Sequence, residues 1–416
     1  MTQLPNNEKR GVLAELSTTR SILLMIALLS ATLGMVGDSL ITPGADQMFK
    51  YYNDDVFVNF VLSGPNLVSM FASIAAGIMQ RFVDKKKVLL LGMALFVVGG
   101  VFGAMIESQG YMMFMRCLVG VALGFTNVTA MSIVTTMYIN ENKRSRMIGI
   151  INAGMFCSAT VVTMWSGWVC EMYGFRAMFY VYAIGIVSIV LILTMIPKIP
   201  ADIHVAEEES QGPESGLKNW KFKLAVMCVG YFVFQVSFAV VSFFVSVYAD
   251  ETGLGGPAFA GRLAAALFIG ALVASLCFGF VYPKLKRYSM TLSMGLLIVG
   301  YAILIALPST VPVIIGCFIF GYANANAFSQ ALMRAGIIAP AKSASISVGI
   351  TAAAMGFGFF ASTFTVTILK AIVGVDAFLP ILPVILVINI VLIVVSLVYI
   401  TISNKSEKKE YQEDAV

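Results

Sequence analysis

Charged side chains are scarce in this chain of 416 residues: Asp, Glu, Lys and Arg make up 12% of it, whereas apolar residues make up 59%. The mean hydropathy is +0.89. Charged residues make up about a quarter of a typical soluble domain, so the composition of this chain lies outside the usual range. A soluble helical protein would also need charged outer faces, which the long apolar runs of this chain lack. The composition therefore favours a protein that lies in a bilayer.

Residues that hold metals or perform catalysis are missing in the patterns that such chemistry needs. The only histidine, His204, lies in a polar segment and anchors no cluster. All six cysteines fall inside apolar runs, where small apolar packing is favoured over disulfides or metal binding. No nucleotide-binding loop and no nucleophile with its base is evident. The sequence therefore predicts no enzyme activity, no cofactor and no metal site.

Twelve apolar runs are each long enough to cross a membrane as a helix. About 20 residues at a rise of roughly 1.5 Å cover a hydrocarbon core about 30 Å thick. Lipid also requires backbone polar groups to be bonded internally, which favours a helical bundle. We predict an all-α membrane protein with spans near residues 21–42, 57–80, 88–106, 110–138, 147–170, 177–196, 223–249, 258–282, 289–307, 312–333, 344–370 and 378–402.

Basic residues are concentrated in alternate connections between these spans. If the N-terminus is cytoplasmic, 22 of the 27 Lys and Arg residues lie in cytoplasmic segments. Short cytoplasmic loops carry such an excess in membrane proteins. We therefore predict a multi-pass protein of the inner (plasma) membrane with both termini in the cytoplasm. The net charge of +5 then reflects topology and not nucleic-acid binding.

A polar segment divides the twelve spans into six and six. We predict an N-terminal bundle over residues 1–196, a linker over 197–222, and a C-terminal bundle with a tail over 223–416. Gly77 and Gly279 are similar landmarks 202 residues apart (279 minus 77), and Gly120 aligns with Gly321 at an offset of 201 (321 minus 120). Two landmarks at nearly the same offset indicate an internal duplication, which several membrane transport folds contain.

At these residues the chain resembles the major facilitator superfamily over essentially its whole length. Three segments carry the resemblance: Gly77 to Lys87 after the second span, Arg116 with Gly120 and Gly124 in the fourth, and Gly174-Phe175-Arg176 before the sixth. The resemblance implies two pseudo-symmetric six-helix bundles. It also implies transport by alternating access around a site near the membrane midplane.

The resemblance further implies a cytoplasmic gate in the loop after the second span. In the family, an aspartate of this loop is thought to latch the cytoplasmic side through a basic residue and a helix N-terminus, whose partial positive charge favours anions. Here Arg81 occupies the usual place of that aspartate, and Asp84 follows later. We assign the gate to Gly77, Arg81, Asp84, Lys85 and Arg146. The alternative is that this loop only anchors the chain through its positive charge.

Asp38 in the first span is the predicted proton-coupling residue. Ionisable side chains within spans are costly and usually functional. Asp38 lies about one turn before Pro43 and shares a helical face with Gly34 and Ala31. It would couple transport if it were ionised in one state and protonated in another. The alternative is a solvated carboxylate at the outer end of the helix.

Arg116 is the predicted charged contact for a solute. Asn127 follows it on the same helical face, and a guanidinium in a cavity would bind a carboxylate or sulfate through paired hydrogen bonds. The alternative role of Arg116 is an internal salt bridge to Asp38 or Glu107. Further polar residues complete the predicted set of substrate contacts: Asn152, Tyr231, Gln235, Asn324, Asn326 and Gln330.

Together these features predict a secondary active transporter for a small organic solute, amphipathic or anionic, coupled to protons or another ion and acting as a monomer. A multidrug/proton antiporter is one alternative. The Gly-Pro pair typical of such antiporters would fall at Val162-Thr163 and is absent, which weakens that interpretation. A facilitative uniporter, a channel and a transporter-like sensor also stay open, and a sensor would bind its ligand without flux.

Overall fold

The computed structural model describes residues 18–80, 82–137, 141–199, 219–285, 288–338 and 344–413, and within these ranges the chain is helical with no strand. The α-helices of the described residues, numbered in chain order, are α1 Thr18–Ala31, α2 Ala45–Tyr52, α3 Asp55–Met79, α4 Lys85–Val101, α5 Gln109–Met137, α6 Glu141–Tyr173, α7 Phe175–Met178, α8 Gly185–Met195, α9 Trp220–Glu251, α10 Pro257–Leu285, α11 Ser289–Ala306, α12 Thr310–Ile338, α13 Ala344–Val373 and α14 Leu382–Glu413.

Ten helical segments of the described chain are long and apolar enough to cross a membrane. The pair Arg20–Val36 and Ser39–Tyr52, which bends by 47° at its break, makes eleven if it is counted as one span. The third predicted span corresponds to α4, which has 17 residues and a length of about 26 Å. The predicted all-α membrane fold is confirmed. The count of twelve is consistent with these helices and stays a prediction.

The first span is a broken helix. After α1 the backbone forms short 3-10 segments at Thr32–Val36 and Ser39–Gly44, and the second contains Pro43. Such a break is tolerated at membrane depth where other side chains bond the freed backbone groups. Tyr182 Oη donates to the Gly37 carbonyl, and Ser166 Oγ donates to the Leu40 carbonyl. Side chains from later helices therefore stabilise the break, and Asp38 lies within it.

Within the described residues, the chain forms two compact units. The first comprises Met1–Ile41 and Phe60–Glu207, and the second comprises Thr42–Asn59 and Glu208–Val416. The segment after the first span, including α2, thus belongs to the second unit. The predicted division at a linker over 197–222 stays a prediction, because most of that segment lies outside the described residues.

In each half, the second and fourth predicted spans contact each other at a glycine. A Cβ added at Gly120 on α5 would lie 2.7 Å from the Pro65 carbonyl oxygen on α3. A Cβ at Gly321 on α12 would collide with the Leu267 carbonyl on α10. The offset is 201 for the glycines (321 minus 120) and 202 for their partners (267 minus 65). Each glycine lets two backbones approach closely, as small residues do in membrane helix pairs.

A second pair of contacts repeats at the same offset. Gly99 on α4 lies against the Val119 backbone on α5, where an added Cβ would come within 3.0 Å of the nitrogen. Gly300 on α11 lies against the Phe320 ring on α12, where an added Cβ would lie 2.9 Å from the nearest ring carbon. Both offsets are 201 (300 minus 99, and 320 minus 119). Of the two landmarks that indicated a duplication in the sequence, Gly120 and Gly321 therefore correspond to equivalent packing contacts inside the two halves.

Candidate functional site

Asp38 lies half-buried at the break of the first span, beside uncharged hydrogen-bond donors. Asn66 Nδ2 donates to one carboxylate oxygen at 3.0 Å, and Ser39 Oγ donates to the other at 3.2 Å. Asn66 comes from α3, so the carboxylate ties the broken helix to the following one. The side chains that bond the carboxylate are therefore both neutral.

Arg116 on α5 is fully buried inside the first unit. Its Nε donates to the Val61 carbonyl at 2.7 Å. Pro65 lies four residues after Val61 within α3 and has no N–H, so this carbonyl loses its helical partner. Arg116 therefore bonds a carbonyl that the proline leaves open. Gly120, one turn further along α5, packs on the Pro65 backbone, so the Arg116–Gly120 motif holds two helices together.

Tyr182 connects Arg116 to the broken helix. Arg116 Nη1 donates to Tyr182 Oη at 2.8 Å, and Tyr182 Oη donates to the Gly37 carbonyl next to Asp38. The buried Tyr182 ring packs on Phe96 with a centroid distance of 5.0 Å. Gly100 makes room for it, because a Cβ there would overlap the Tyr182 ring. These contacts form a continuous polar network from α3 through Arg116 and Tyr182 to the break.

The expected exposure of Arg116 is corrected by this structure. Arg116 has no exposed surface, whereas Asn127 is exposed, so the two do not share one environment although they share a helical face. Burial follows from the open Val61 carbonyl and from Tyr182, which supply partners that sequence spacing does not show. Glu107, the other proposed partner, pairs instead with Arg176 at 2.5 Å. A role of Arg116 in solute binding stays a prediction.

The second unit contains buried polar groups for which the described residues supply no hydrogen-bond partner. Tyr231 and Gln235 lie one turn apart on α9 and are 1% and 0% exposed. Among the described residues, no hydrogen-bond partner is found for Tyr231 Oη or for either amide atom of Gln235, and the same holds for Asn324 Oδ1 on α12. Groups of this kind are expensive to bury unpaired. All three residues belong to the predicted solute contacts.

Other predicted solute contacts have different environments. Asn326 is buried and donates from Nδ2 to the Ser289 carbonyl at 3.0 Å and to Ser293 Oγ at 2.8 Å. It therefore ties α12 to α11, and these bonds occupy its amide. Gln330, one turn further, is buried, while Asn152 on α6 is half-buried. Their part in solute binding stays a prediction.

The loop predicted to form a gate contacts the end of another helix. Lys86 Nζ donates to the carbonyls of Leu193 at 2.8 Å and Ile196 at 2.6 Å, and so caps the end of α8. The Lys85 side chain is buried, and its backbone N–H donates to the Ile199 carbonyl at 3.2 Å. Within the first unit, this loop therefore joins the start of α4 to the end of α8.

The remaining gate residues are only partly described. Asp84 stands at the N-terminus of α4 and pairs with Lys87 at 3.7 Å. A carboxylate is attracted to a helix N-terminus, as the proposed gate requires. Here the N-terminus is that of α4, which begins directly after Asp84. Gly77 is exposed, and a Cβ there would have no neighbour within 4 Å. Arg81 lies outside the described residues, as does the side chain of Arg146, and the gate itself stays a prediction.

Sequence reasoning missed Tyr182 and Asn66, which bond the Gly37 carbonyl and Asp38. Both are polar residues inside apolar spans, and such residues usually have a bonded role. Pro65 carried a further signal, because a proline inside a span predicts an unbonded carbonyl four residues earlier. That rule would have selected Val61 as an acceptor, although the donor that reaches it depends on the fold.

A helical chain with at least ten membrane-length segments, and with polar groups buried inside both units, is a polytopic membrane protein. The family model of the Major Facilitator Superfamily matches residues 27–363. The chain belongs to this superfamily, and it is a membrane transporter rather than an enzyme.

Solved structures of several transporters share the fold. A bacterial homologue of the human lysosomal transporter Spinster, in an inward-facing and unoccupied conformation, superposes with a TM-score of 0.71 at 14% identity, covering 92% of this chain and 96% of that one. A mutant of the nucleoside transporter NupG gives 0.73 at 14% identity, covering 90% and 99%. A mutant of a peptide transporter POT in complex with alafosfalin gives 0.72 at 14%, covering 95% and 98%. At this identity the similarity shows the fold alone. No curated protein matches the sequence.

Proposed function

We propose that this protein is a proton-coupled secondary transporter that moves a small organic solute with apolar and polar parts across the plasma membrane by alternating access. Asp38 carries the coupling. The observation that supports this proposal is the position of Asp38 at the break of the first span, where the neutral side chains of Asn66 and Ser39 donate to its carboxylate. Asp38 is also the only acidic residue inside the twelve predicted spans.

Unwound helices at membrane depth are common sites for coupling ions in transporters, because the break frees backbone groups and places side chains at the point of movement. Here the freed carbonyls on either side of Asp38 are bonded by Tyr182 and Ser166. A change in the charge of Asp38 would alter its bond to Asn66 on α3. Proton binding is thereby linked to the geometry of the first two spans.

Within the second unit, the polar residues proposed to bind the solute are Tyr231, Gln235, Asn324 and Gln330. Solute sites are commonly apolar with a few polar groups that fix orientation. The aromatic side chains of α9 provide the apolar part, with Phe232 stacked on Phe357 at 5.5 Å and Phe244 on Phe378 at 5.3 Å.

The test is uptake into proteoliposomes with and without an imposed pH gradient. A screen across organic anions, cations and neutral drugs first selects a transported solute. We expect Asp38→Asn, which mimics the protonated form, to retain exchange of that solute and to lose accumulation driven by the gradient. Asp376→Asn removes an exposed carboxylate outside the predicted spans and serves as the matched control.

Several outcomes would contradict the proposal in different ways. If Asp38→Asn accumulates solute as the parent does, the coupling residue lies elsewhere. If the parent itself equilibrates solute without accumulation under any gradient, the protein is a uniporter. Binding without any flux would identify a sensor. Counter-movement of solute and protons would identify an antiporter, in which proton coupling is kept and the solute moves against the proton flow.

A further inference from the structure

The buried polar atoms of Tyr231 and Gln235 lie on one face of α9. They are separated by four residues, which places them one above the other on the helix. The stem of Gln235 is fixed by close packing, because a Cβ added at Gly358 on α13 would lie 2.9 Å from Gln235 Cβ and 3.1 Å from Cγ. The Tyr231 ring stacks on Phe234 at 6.3 Å. Both side chains are therefore held in place, while their polar ends find no partner among the described residues.

The two helices that meet at Gln235 carry no charged residue near it in their described parts. Along α9 the nearest charged residues are Lys223 and Asp250, about 18 Å and 22 Å from Gln235 along the helix axis. On α13, which packs against Gln235 through Gly358, the first charged residue after Ala344 is Lys370. An ion placed beside Gln235 would lose its hydration and gain no counter-charge from these helices, which is strongly unfavourable.

We propose that Gln235 and Tyr231 recognise an uncharged hydrogen-bonding group of the solute, such as an amide or a hydroxyl, and reject a carboxylate or ammonium at that position. The proposal rests on the proposed function, since it names the class of solute group bound by the second unit. An amide side chain both donates and accepts, and a phenol does the same. Together they match a neutral group that also has a donor and an acceptor.

The same two side chains have opposite effects on stability and on binding. A polar group that supports the fold is bonded in the folded protein, and its removal lowers stability. A group kept for a ligand is unpaired in the free protein, so its removal costs nothing or stabilises, while binding is lost. This contrast separates recognition from a structural role.

The experiment measures thermal unfolding of the purified full-length protein in detergent. Tyr301→Phe is the matched control, because Tyr301 is equally buried and its hydroxyl donates to the Ser237 carbonyl at 2.5 Å. We expect Tyr301→Phe to lower the melting temperature. Tyr231→Phe and Gln235→Leu are expected to leave it unchanged or to raise it.

Binding is then measured with four probes that share one ring: benzamide and benzyl alcohol, which are neutral, benzoate, which is anionic, and benzylammonium, which is cationic. The neutral probes should raise the melting temperature of the parent more than the charged ones. Gln235→Leu should weaken benzamide binding by about tenfold or more, as expected for the loss of a buried hydrogen bond. Tyr231→Phe should weaken it in the same direction.

Three results would overturn the proposal: Tyr231→Phe lowers the melting temperature as much as Tyr301→Phe does, the charged probes stabilise the parent more than the neutral ones, or neither neutral probe stabilises it. Binding in detergent involves no gradient. Its failure is therefore distinct from a failure of proton coupling, which only uptake reports.

Discussion

Arg116 belongs to the sequence motif of the fourth span, and it also bonds a backbone carbonyl that would otherwise lack a partner. Its guanidinium reaches the Val61 carbonyl, which Pro65 leaves without a helical partner, and the hydroxyl of Tyr182. The planar fork of arginine presents several N–H groups in fixed directions, whereas the ammonium of lysine does not. One nitrogen, Nη2, has no partner among the described residues. The residue is therefore mainly a connector between helices in this structure.

The first prediction concerns this connector. Arg116→Lys keeps the charge and loses the second hydrogen bond, so we expect the free energy of unfolding to fall by about 1–3 kcal/mol. Transport should fall with it. Thermal unfolding of the purified protein measures the change, and Arg262→Lys, at an exposed position, is the control. An unchanged melting temperature combined with lost transport would instead assign Arg116 to the solute, as its motif first indicated.

Among the helices, some glycines are sites of close approach and others are not. Gly120 and Gly321 each lie against a carbonyl of the second helix of their own half. Gly149 and Gly230 also lie within helices, yet an added Cβ there would meet nothing within 4 Å. Glycine is therefore required at the first two positions by packing and is not required at the other two.

The second prediction uses that contrast. Gly120→Ala and Gly321→Ala force two backbones apart, so each should destabilise the protein by about 1–3 kcal/mol or prevent folding. Gly149→Ala and Gly230→Ala should be neutral or stabilising by up to about 1 kcal/mol, because alanine favours helix. The yield of folded protein and its melting temperature give the comparison. Equal effects at all four positions would remove the packing explanation.

The α2 helix is attached to α9 within the second unit through charged and aromatic contacts. Lys50 Nζ lies 2.6 Å from Asp250 and 3.0 Å from Asp46, and the Asp46 N–H donates to Ser246 Oγ at 3.1 Å. Phe49 stacks on Phe244 at 5.5 Å. Lys50 was one of five basic residues outside the predicted cytoplasmic segments, and these two carboxylates account for its position.

The third prediction follows from the exposure of this ion pair. The Lys50 side chain is 60% exposed, so solvent and salt screen its attraction to both carboxylates. Lys50→Ala should therefore lower stability by less than about 1 kcal/mol. Phe49→Ala removes an aromatic contact and should cost more. Melting temperatures at low and high salt provide the test, and a large, salt-independent loss for Lys50→Ala would contradict this account.

For the whole molecule, the distribution of basic residues predicts which loops face the cytoplasm. Ser108 lies in a loop predicted to be outside, and Phe82 in one predicted to be inside, and both side chains are exposed. In intact cells, a membrane-impermeant maleimide should label Ser108→Cys above the background of the parent and should not label Phe82→Cys. Both should react in opened membranes. The reverse pattern would invert the predicted topology.

The sequence by itself determined the class of fold, because lipid leaves few choices. Long apolar runs must become helices, and their number, their basic connections and the repeated glycines are all countable along the chain. The break near Asp38 was only hinted at by Pro43. Polar residues within spans are likewise visible in the sequence, so Tyr231 and Gln235 could be selected from the sequence alone.

Only the tertiary structure decided which of those polar residues are already bonded. Arg116 and Asn326 looked available in the sequence, yet the first meets Val61 and Tyr182, and the second meets Ser289 and Ser293. Helical spacing fixes the face on which a side chain lies. It does not fix which donor or acceptor a distant helix brings to that face. Hydrogen bonds act over about 3 Å, so their assignment depends on packing that no local pattern encodes.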